Sequence, residues 1–314
     1  MKVLCHYAAS RDFERRFANL APDAVELAIC PVEDLDRYHR LIGDTDVLWH
    51  VLLPLSAEMI EAGPSLRLIQ KIGIGVNTID LEAARRRGIP VCNMPGTNTQ
   101  AVAEATLLLM LGALRRAAQV DRTTRVGNGW ALQTALQDDC GEVAGRTVGL
   151  IGFGAVAQRL APVLAAMGAR VLYVSRTPKP DAAGERVPLD RLLSESDIVS
   201  LHLPITPETE RLIDAAAIER MKPGAVIVNT ARGGLIDEAE LVAALSDGRI
   251  AAAGLDVYEA EPAPATNPLF AMENVIVAPH LAWLTRETIE RSLAVALENC
   301  RRLGAGDELL HRVV

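Results

Sequence analysis

Short apolar runs alternate with amphipathic stretches along the first third of the chain. Val3–Tyr7, Val25–Cys30, Asp46–Leu52, Leu66–Ile72 and Ile89–Asn93 carry the β-rich patterns that predict strands. Ala57–Ala62 and Leu81–Arg87 predict helices between them, the second stopped by Gly88. Such alternation implies a parallel sheet, because parallel neighbours need a crossover, usually a helix. A longer helix is predicted over Thr99–Ala118, apolar on nearly every face through Val102–Leu114, the pattern of a buried helix. The polar stretch Asp121–Glu142 separates it from a second alternating region. There Thr147–Ile151, Arg170–Ser175, Ile198–Leu203, Ala225–Ala231, Ala251–Val257 and Val275–Ala278 predict six parallel strands of one doubly wound sheet. A last helix, Arg286–Arg302, leaves too little chain for a domain and must pack on one already built.

Composition narrows the class. The 314 residues allow two domains with packed cores. Half are hydrophobic and the mean hydropathy is +0.18, as expected for sheets buried on both faces. A net charge of −8 and 4% aromatic residues disfavour a nucleic-acid face. Five scattered cysteines without a C-x-x-C pair read as reduced thiols and not as a metal site. The longest apolar run, near Ala105–Leu114, is too short to span a bilayer, and no signal-type segment is evident. The expectation is a soluble cytoplasmic enzyme with no nucleic-acid or membrane partner.

The strand Thr147–Ile151 runs into Gly152-Phe153-Gly154-Ala155-Val156-Ala157, which spaces as G-x-G-x-x-(G/A) and opens a predicted helix, Gln158–Met167. Gly152 permits a tight turn, Gly154 lets backbone approach a pyrophosphate, and Ala157 lets the helix approach the sheet. The helix N-terminus would then face the phosphates. In this strand–turn–helix setting the motif predicts a nicotinamide dinucleotide. An NAD site carries an acid about twenty residues on, for the ribose 2′-hydroxyl. Here the next strand ends in Ser175-Arg176-Thr177, with no carboxylate before Asp181. Two hydroxyls and a fixed cation suit a 2′-phosphate, so NADP is expected over NAD.

Three loops of the second half follow predicted strands and so point to one crevice at their carboxyl ends. Arg232 follows Val228-Asn229-Thr230-Ala231, acids follow in Asp256-Val257-Tyr258-Glu259-Ala260-Glu261, and His280 follows Ala278-Pro279. Reducing a 2-oxo acid needs a proton donor at the carbonyl oxygen and a cation for the carboxylate. These residues supply both. Each alone also has a plainer reading: a hydrogen-bonded surface histidine, a loop cation, an exposed acid beside Pro262.

Together with Lys71-Ile72-Gly73-Ile74-Gly75-Val76-Asn77-Thr78-Ile79-Asp80, Asn93-Met94-Pro95-Gly96, Ala101-Val102-Ala103-Glu104 and Leu201-His202-Leu203-Pro204-Ile205-Thr206-Pro207-Glu208-Thr209, these loops resemble the D-isomer-specific 2-hydroxyacid dehydrogenases over nearly the whole chain. That family includes glyoxylate/hydroxypyruvate reductases and D-3-phosphoglycerate dehydrogenases. The resemblance implies an α/β protein of two doubly wound parallel-sheet domains. A Rossmann cofactor domain (99–283) would be inserted into a flavodoxin-like substrate domain (1–98 and 284–314), with the active site in the cleft. It implies His280 as acid/base, Glu261 as the partner that raises its pKa, and Arg232 on the substrate carboxylate, helped by the amides of Ile74 and Gly75. Gly152, Phe153, Gly154, Ala155, Val156, Ser175, Arg176, Thr177, Leu203, Pro204, Thr209, Thr230, Ala231, Asp256 and His280 would contact the cofactor, Asp256 at the nicotinamide amide.

The resemblance also implies a homodimer through the cofactor domain. Glu259 is a competing carboxylate. Trp283, small in many relatives, is assigned to the substrate pocket with packing as core left open, and loops such as Leu52–Ser56 would set substrate identity. The expected reaction is hydride transfer between NAD(P)H and a small 2-oxo or 2-hydroxy acid of glyoxylate/hydroxypyruvate type. The alternative is a non-catalytic dinucleotide-sensing module, since transcriptional corepressors use the same fold.

Overall fold

Five parallel strands form the first sheet: β1 (Lys2–His6), β2 (Glu26–Cys30), β3 (Val47–His50), β4 (Leu68–Lys71) and β5 (Val91–Cys92), in the order β2-β1-β3-β4-β5. Helices α1 (Arg11–Leu20), α2 (Leu35–Ile42), α3 (Ala57–Glu61) and α4 (Leu81–Arg86) make the crossovers. Each begins at a side-chain cap: Ser10, Asp34, Ser56 and Asp80 accept the N–H three residues on. Leu4, Leu48 and Ile69 fill one side of the sheet, and Val3, Val47, Trp49 and Leu68 the other. Helices α1 and α2 were not predicted. They bury only Phe17, and Tyr38 with Ile42, too few apolar positions to set a period. The computed structural model describes residues 1–21 and 24–314. The chain divides into two compact units, Met1–Asn98 with Leu284–Val314, and Thr99–Trp283.

The second unit holds α5 (Thr99–Leu114), α6 (Ala117–Arg125), α7 (Leu132–Ala135), β6 (Thr147–Ile151), α8 (Ala155–Ala166), β7 (Arg170–Val174), β8 (Glu185–Arg186), α9 (Leu189–Glu195), β9 (Ile198–Leu201), α10 (Ala215–Arg220), β10 (Ala225–Asn229), α11 (Glu238–Ser246), β11 (Ile250–Leu255) and β12 (Val275–Val277). The sheet runs β12-β11-β10-β9-β6-β7-β8, all parallel. Strand order reverses at β6, the switch point where open α/β sheets bind ligands. Seven strands replace the six expected. The added β8 is two exposed polar residues, invisible to a hydrophobic pattern.

The long helix expected over Thr99–Ala118 is two helices, broken at Arg116, whose φ of 51° is left-handed. Helix α5 lies close on its own sheet because two glycines make room. A Cβ at Gly254 would stand 2.8 Å from the Leu109 carbonyl oxygen, and one at Gly112 2.6 Å from Ile276 Cδ1.

The segment Leu284–Val314 completes the first unit with α12 (Arg286–Ala305), capped by Thr285 and ended by Gly306 at φ 75°. Leu293, Ala296 and Cys300 join the core around Val3 and Trp49. Asn299 Nδ2 donates to buried Gln70 Oε1 at 2.6 Å. Val313 N–H donates to the Val91 carbonyl at 2.7 Å, and an antiparallel bridge joins Cys92 to Arg312. Among the described residues no helix is long and apolar enough to cross a membrane.

Candidate active site

The turn from β6 into α8 is shaped by one close approach. Gly152 has φ 92°, and a Cβ there would lie 2.5 Å from the His202 carbonyl oxygen at the end of β9 and 2.8 Å from Leu203 Cδ2. Any other residue would push the two strand ends apart. At Gly154, the N-cap of α8, a Cβ would meet nothing within 4 Å, and no side chain caps the helix. The first helical hydrogen bond runs from Gln158 N–H to Gly154, leaving the amides of Ala155, Val156 and Ala157 without an intrahelical acceptor. An uncapped twelve-residue helix with that cradle fits a dinucleotide pyrophosphate. The side chain of Phe153 is core, stacked on Tyr173 at 4.0 Å between ring centroids. Only its backbone is left for a ligand.

The turn after β7 uses its own polar groups. Ser175 Oγ donates to the Thr177 carbonyl at 2.6 Å, so its proton is spent inside the turn. Arg186 of β8 donates to the carbonyls of Ser175 and Arg176. In the loop after β9, Thr209 Oγ donates to the Pro204 carbonyl at 2.8 Å and accepts from Thr206 N–H at 2.8 Å. Glu208 in that loop has a depressed pKa, held by its hydrogen bond to Thr206 and its own amide, with the Arg176 charge adding to the effect.

Beyond β10, buried Asn229 folds the turn back on itself. Its Oδ1 accepts Ala231 N–H at 3.0 Å and its Nδ2 donates to the Arg232 carbonyl at 2.8 Å, an Asx-type brace. Thr230, also buried, shares a 2.8 Å hydrogen bond with Thr106 of α5. The Arg232 guanidinium donates to the Ala231 carbonyl at 2.6 Å. Burial lowers its pKa, against the opposing pull of Glu261.

Glu261 and His280 meet directly, Oε2 to Nδ1 at 2.6 Å. Tyr258 N–H donates to Glu261 Oε1 at 3.0 Å. Burial raises the Glu261 pKa, but the His280 bond and charge, the Tyr258 amide and Arg232 together bring it below the usual carboxylate value. His280 sits at φ 58°, unusual for a residue with a Cβ. Asp256 holds it there. Its carbonyl accepts His280 N–H at 2.7 Å, and its carboxylate accepts Leu281 and Ala282 N–H at 2.8 and 2.9 Å. Burial pushes the Asp256 pKa up despite those two amides. Tyr258 Oη reaches the Ala278 carbonyl at 3.0 Å, tying the loop of Glu261 to the strand end that carries His280.

Of the residues expected from sequence, Arg232, Glu261, His280, Asp256, Thr230 and Ala231 thus lie on one connected set of loops at the carboxyl ends of β10, β11 and β12. Glu259 is turned away, paired with Arg211 at 2.8 Å. Trp283 Nε1 donates to the His280 carbonyl at 3.0 Å, which fixes the indole against the histidine loop. Asn229, Tyr258, Thr106 and Arg186 were not anticipated. Only Asn229 had a local signal, the side-chain-to-backbone turn that Asn favours.

In the first unit, Ile74 is exposed, its carbonyl accepting Asn93 Nδ2 at 2.9 Å, while Met94 N–H holds the Gly73 carbonyl at 2.9 Å. The Leu52–Ser56 segment is fixed by Leu55, paired through its backbone with Thr78 and Asp80, and Ser56 caps α3.

Residues 107–282 match the model of the D-isomer specific 2-hydroxyacid dehydrogenase, NAD binding domain. The chain belongs to this family. As a D-isomer-specific 2-hydroxyacid dehydrogenase it is an oxidoreductase that binds a nicotinamide dinucleotide. It is 38% identical over 286 residues to a glyoxylate reductase of Korarchaeum cryptofilum, covering 89% of this chain and 82% of that one. To a hydroxypyruvate reductase of Blautia hydrogenotrophica it is 34% identical over 275 residues, covering 85% and 84%. Among solved structures, the TT0316 protein of Thermus thermophilus superposes with a TM-score of 0.90 at 36% identity, covering all of both chains. Two α/β parallel-sheet units are the architecture of this family. The turn Gly152–Ala157 and the loops with Arg232, Glu261 and His280 all fall within the matched segment, which stops just before Trp283.

Proposed function

We propose that the protein reduces small 2-oxo acids, of the glyoxylate and hydroxypyruvate type, with NADPH. The observation that carries the chemistry is the 2.6 Å contact of His280 Nδ1 with Glu261. It leaves Nε2 as the proton-transferring atom. The substrate carboxylate sits on Arg232, which turns the carbonyl oxygen toward His280 Nε2. When bound, the nicotinamide supplies the hydride to the carbonyl carbon. His280 gives the proton from Nε2 to the oxygen as charge develops there, and Glu261 stabilises the imidazolium beforehand and fixes the Nδ1 tautomer afterwards. Asp256 and Tyr258 hold the pair in register. Ala155 and Val156 would offer amides to the pyrophosphate, Thr230, Ala231 and Asp256 would hold the nicotinamide end, and Trp283 would border the substrate. The loop amides of Ile74 and Gly75 serve as an anion-holding element of the first unit.

The preference for NADPH is supported by Arg176 and by the missing acid after β7. A panel of 2-oxo acids with NADPH and NADH tests substrate and cofactor together. His280→Ala should lower kcat on glyoxylate by ~10²–10⁴-fold, the range of a general acid. Near-wild-type turnover by that variant would remove His280 from the role.

A homodimer through the second unit is supported by the 117–136 segment. Its helices bury nothing, while Trp130 is 85% and Val126 70% exposed. Sedimentation of wild type and Trp130→Ala tests it. A cytoplasmic location is supported by five free cysteines.

A further inference from the structure

We infer that Arg186 is a specificity-determining residue for the dinucleotide, one that shapes the turn after β7 to accept a 2′-phosphate. The inference rests on the NADPH reading above. Strand β8 is only Glu185–Arg186, and Arg186 stands in register beside Tyr173 of β7. Successive residues of a strand point to opposite sides. Glu185 turns to Arg170 and Arg191, at 3.2 and 2.7 Å. Arg186 turns to the end of β7. Its Nε and Nη2 donate to the Ser175 carbonyl at 3.0 and 2.9 Å, and Nη2 also reaches the Arg176 carbonyl at 3.2 Å.

The third carbonyl of the turn, that of Thr177, is taken by Ser175 Oγ. All three backbone acceptors are therefore occupied by donors. The consequence for a ribose is specific. A 2′-hydroxyl of NAD donates, and seeks an acceptor such as the carboxylate this turn lacks. A 2′-phosphate accepts, and would be repelled by uncovered carbonyl oxygens. Arg186 covers two of those oxygens with its Nε–Nη2 fork and places a second permanent cation next to Arg176. A residue that merely stiffened the turn would affect both nucleotides alike.

The test is calorimetric titration with 2′,5′-ADP and with 5′-AMP, joined to kcat/KM for NADPH and NADH, in wild type, Arg186→Ala, Arg186→Lys and Arg176→Ala. Arg186→Ala should lower the 2′,5′-ADP over 5′-AMP affinity ratio, and the NADPH over NADH ratio, by roughly five- to twentyfold. That is the scale of one partly exposed charge-assisted interaction. Arg186→Lys, which keeps the charge but loses the fork, should fall between. Equal losses for both nucleotides, or no loss, overturn the role of Arg186. If Arg176→Ala alone then abolishes the preference, the NADPH reading survives. A wild-type protein that binds 2′,5′-ADP no more tightly than 5′-AMP overturns both.

Discussion

Gly233 is the residue whose replacement best tests how the proposed reacting groups are assembled. A Cβ on Gly233 would stand 1.9 Å from both the carbonyl carbon and oxygen of Tyr258 and 2.5 Å from Glu259 N. The obstacle is backbone, so the loop of Arg232 and the loop of Glu261 must part by about 1 Å or more to reach ordinary van der Waals contact. Arg232 immediately precedes the contact on one side. On the other, Tyr258 N–H holds Glu261 Oε1. A misplacement of ~1 Å at a reacting constellation costs about 10²-fold in rate, or about 2.7 kcal/mol of transition-state stabilisation. Overpacking would take about 1–3 kcal/mol from stability, a shift of several degrees in Tm that leaves the protein folded.

The assay is NADPH oxidation with glyoxylate, followed by absorbance, beside a thermal melt. Gly234→Ala is the matched control. Its Cβ would meet the flexible tip of the Ile205 side chain, Cδ1 at 2.5 Å, which can swing aside. We expect Gly233→Ala to lose about two orders of magnitude in kcat/KM and Gly234→Ala less than about fivefold. A Gly233→Ala enzyme within about threefold of wild type, or equal damage from both variants, would refute the argument that this backbone contact aligns Arg232 with Glu261.

Glu261→Gln keeps the shape but removes the charge beside His280, and should lower kcat by ~10–10²-fold with a smaller change in KM for glyoxylate, since in the proposed mechanism Glu261 acts through His280. An unchanged kcat would contradict it. Tyr258→Phe removes the hydroxyl bond to the Ala278 carbonyl; about 1 kcal/mol of stability and a few-fold of kcat should go with it, read by urea unfolding and turnover.

Stability should also fall as pH drops from about 7 to about 5. Burial lowers the pKa of His6, takes His50 well below its ordinary value, and brings His202 to about 4 from 6.5. The unfolded chain then binds more protons than the fold between those values and 6.5. Stability is complete above about pH 6.5 and lost below it, as the unfolded chain takes up protons that His50 and His202 refuse in the fold. A urea midpoint that does not move across that range would count against the neutral histidines.

The two sheets were legible because their central strands are buried on both faces and read as unbroken apolar runs. Thr147–Ile151 was placed to the residue, while the ends of the others shifted by a few positions. What escaped was held by contacts that leave no local pattern. Strand β8 is two charged residues, Glu185 and Arg186, recruited by the edge of β7. The break at Arg116 interrupts an apolar helix with no Gly or Pro to announce it. At the site, residue types and their order after the strands pointed to Arg232, Glu261 and His280. Nothing in the sequence revealed that Asp256 clamps three consecutive amides to hold His280 at a positive φ, or that Tyr258 ties two loops together. Those are long-range hydrogen bonds, set only once the strands are aligned.

The first sheet takes α12 and the extended segment beside β5 from a stretch of chain that follows the whole second unit. During synthesis at ~5–20 residues per second, β1 to β5 would leave the ribosome some ten to forty seconds before Leu284 does. Throughout that interval the face around Val3 and Trp49 lacks the leucine, alanine and cysteine that later cover it. The second unit, continuous in sequence, can close meanwhile. A nascent chain of this protein should therefore engage chaperones through its amino-terminal sheet, although that sheet is made first.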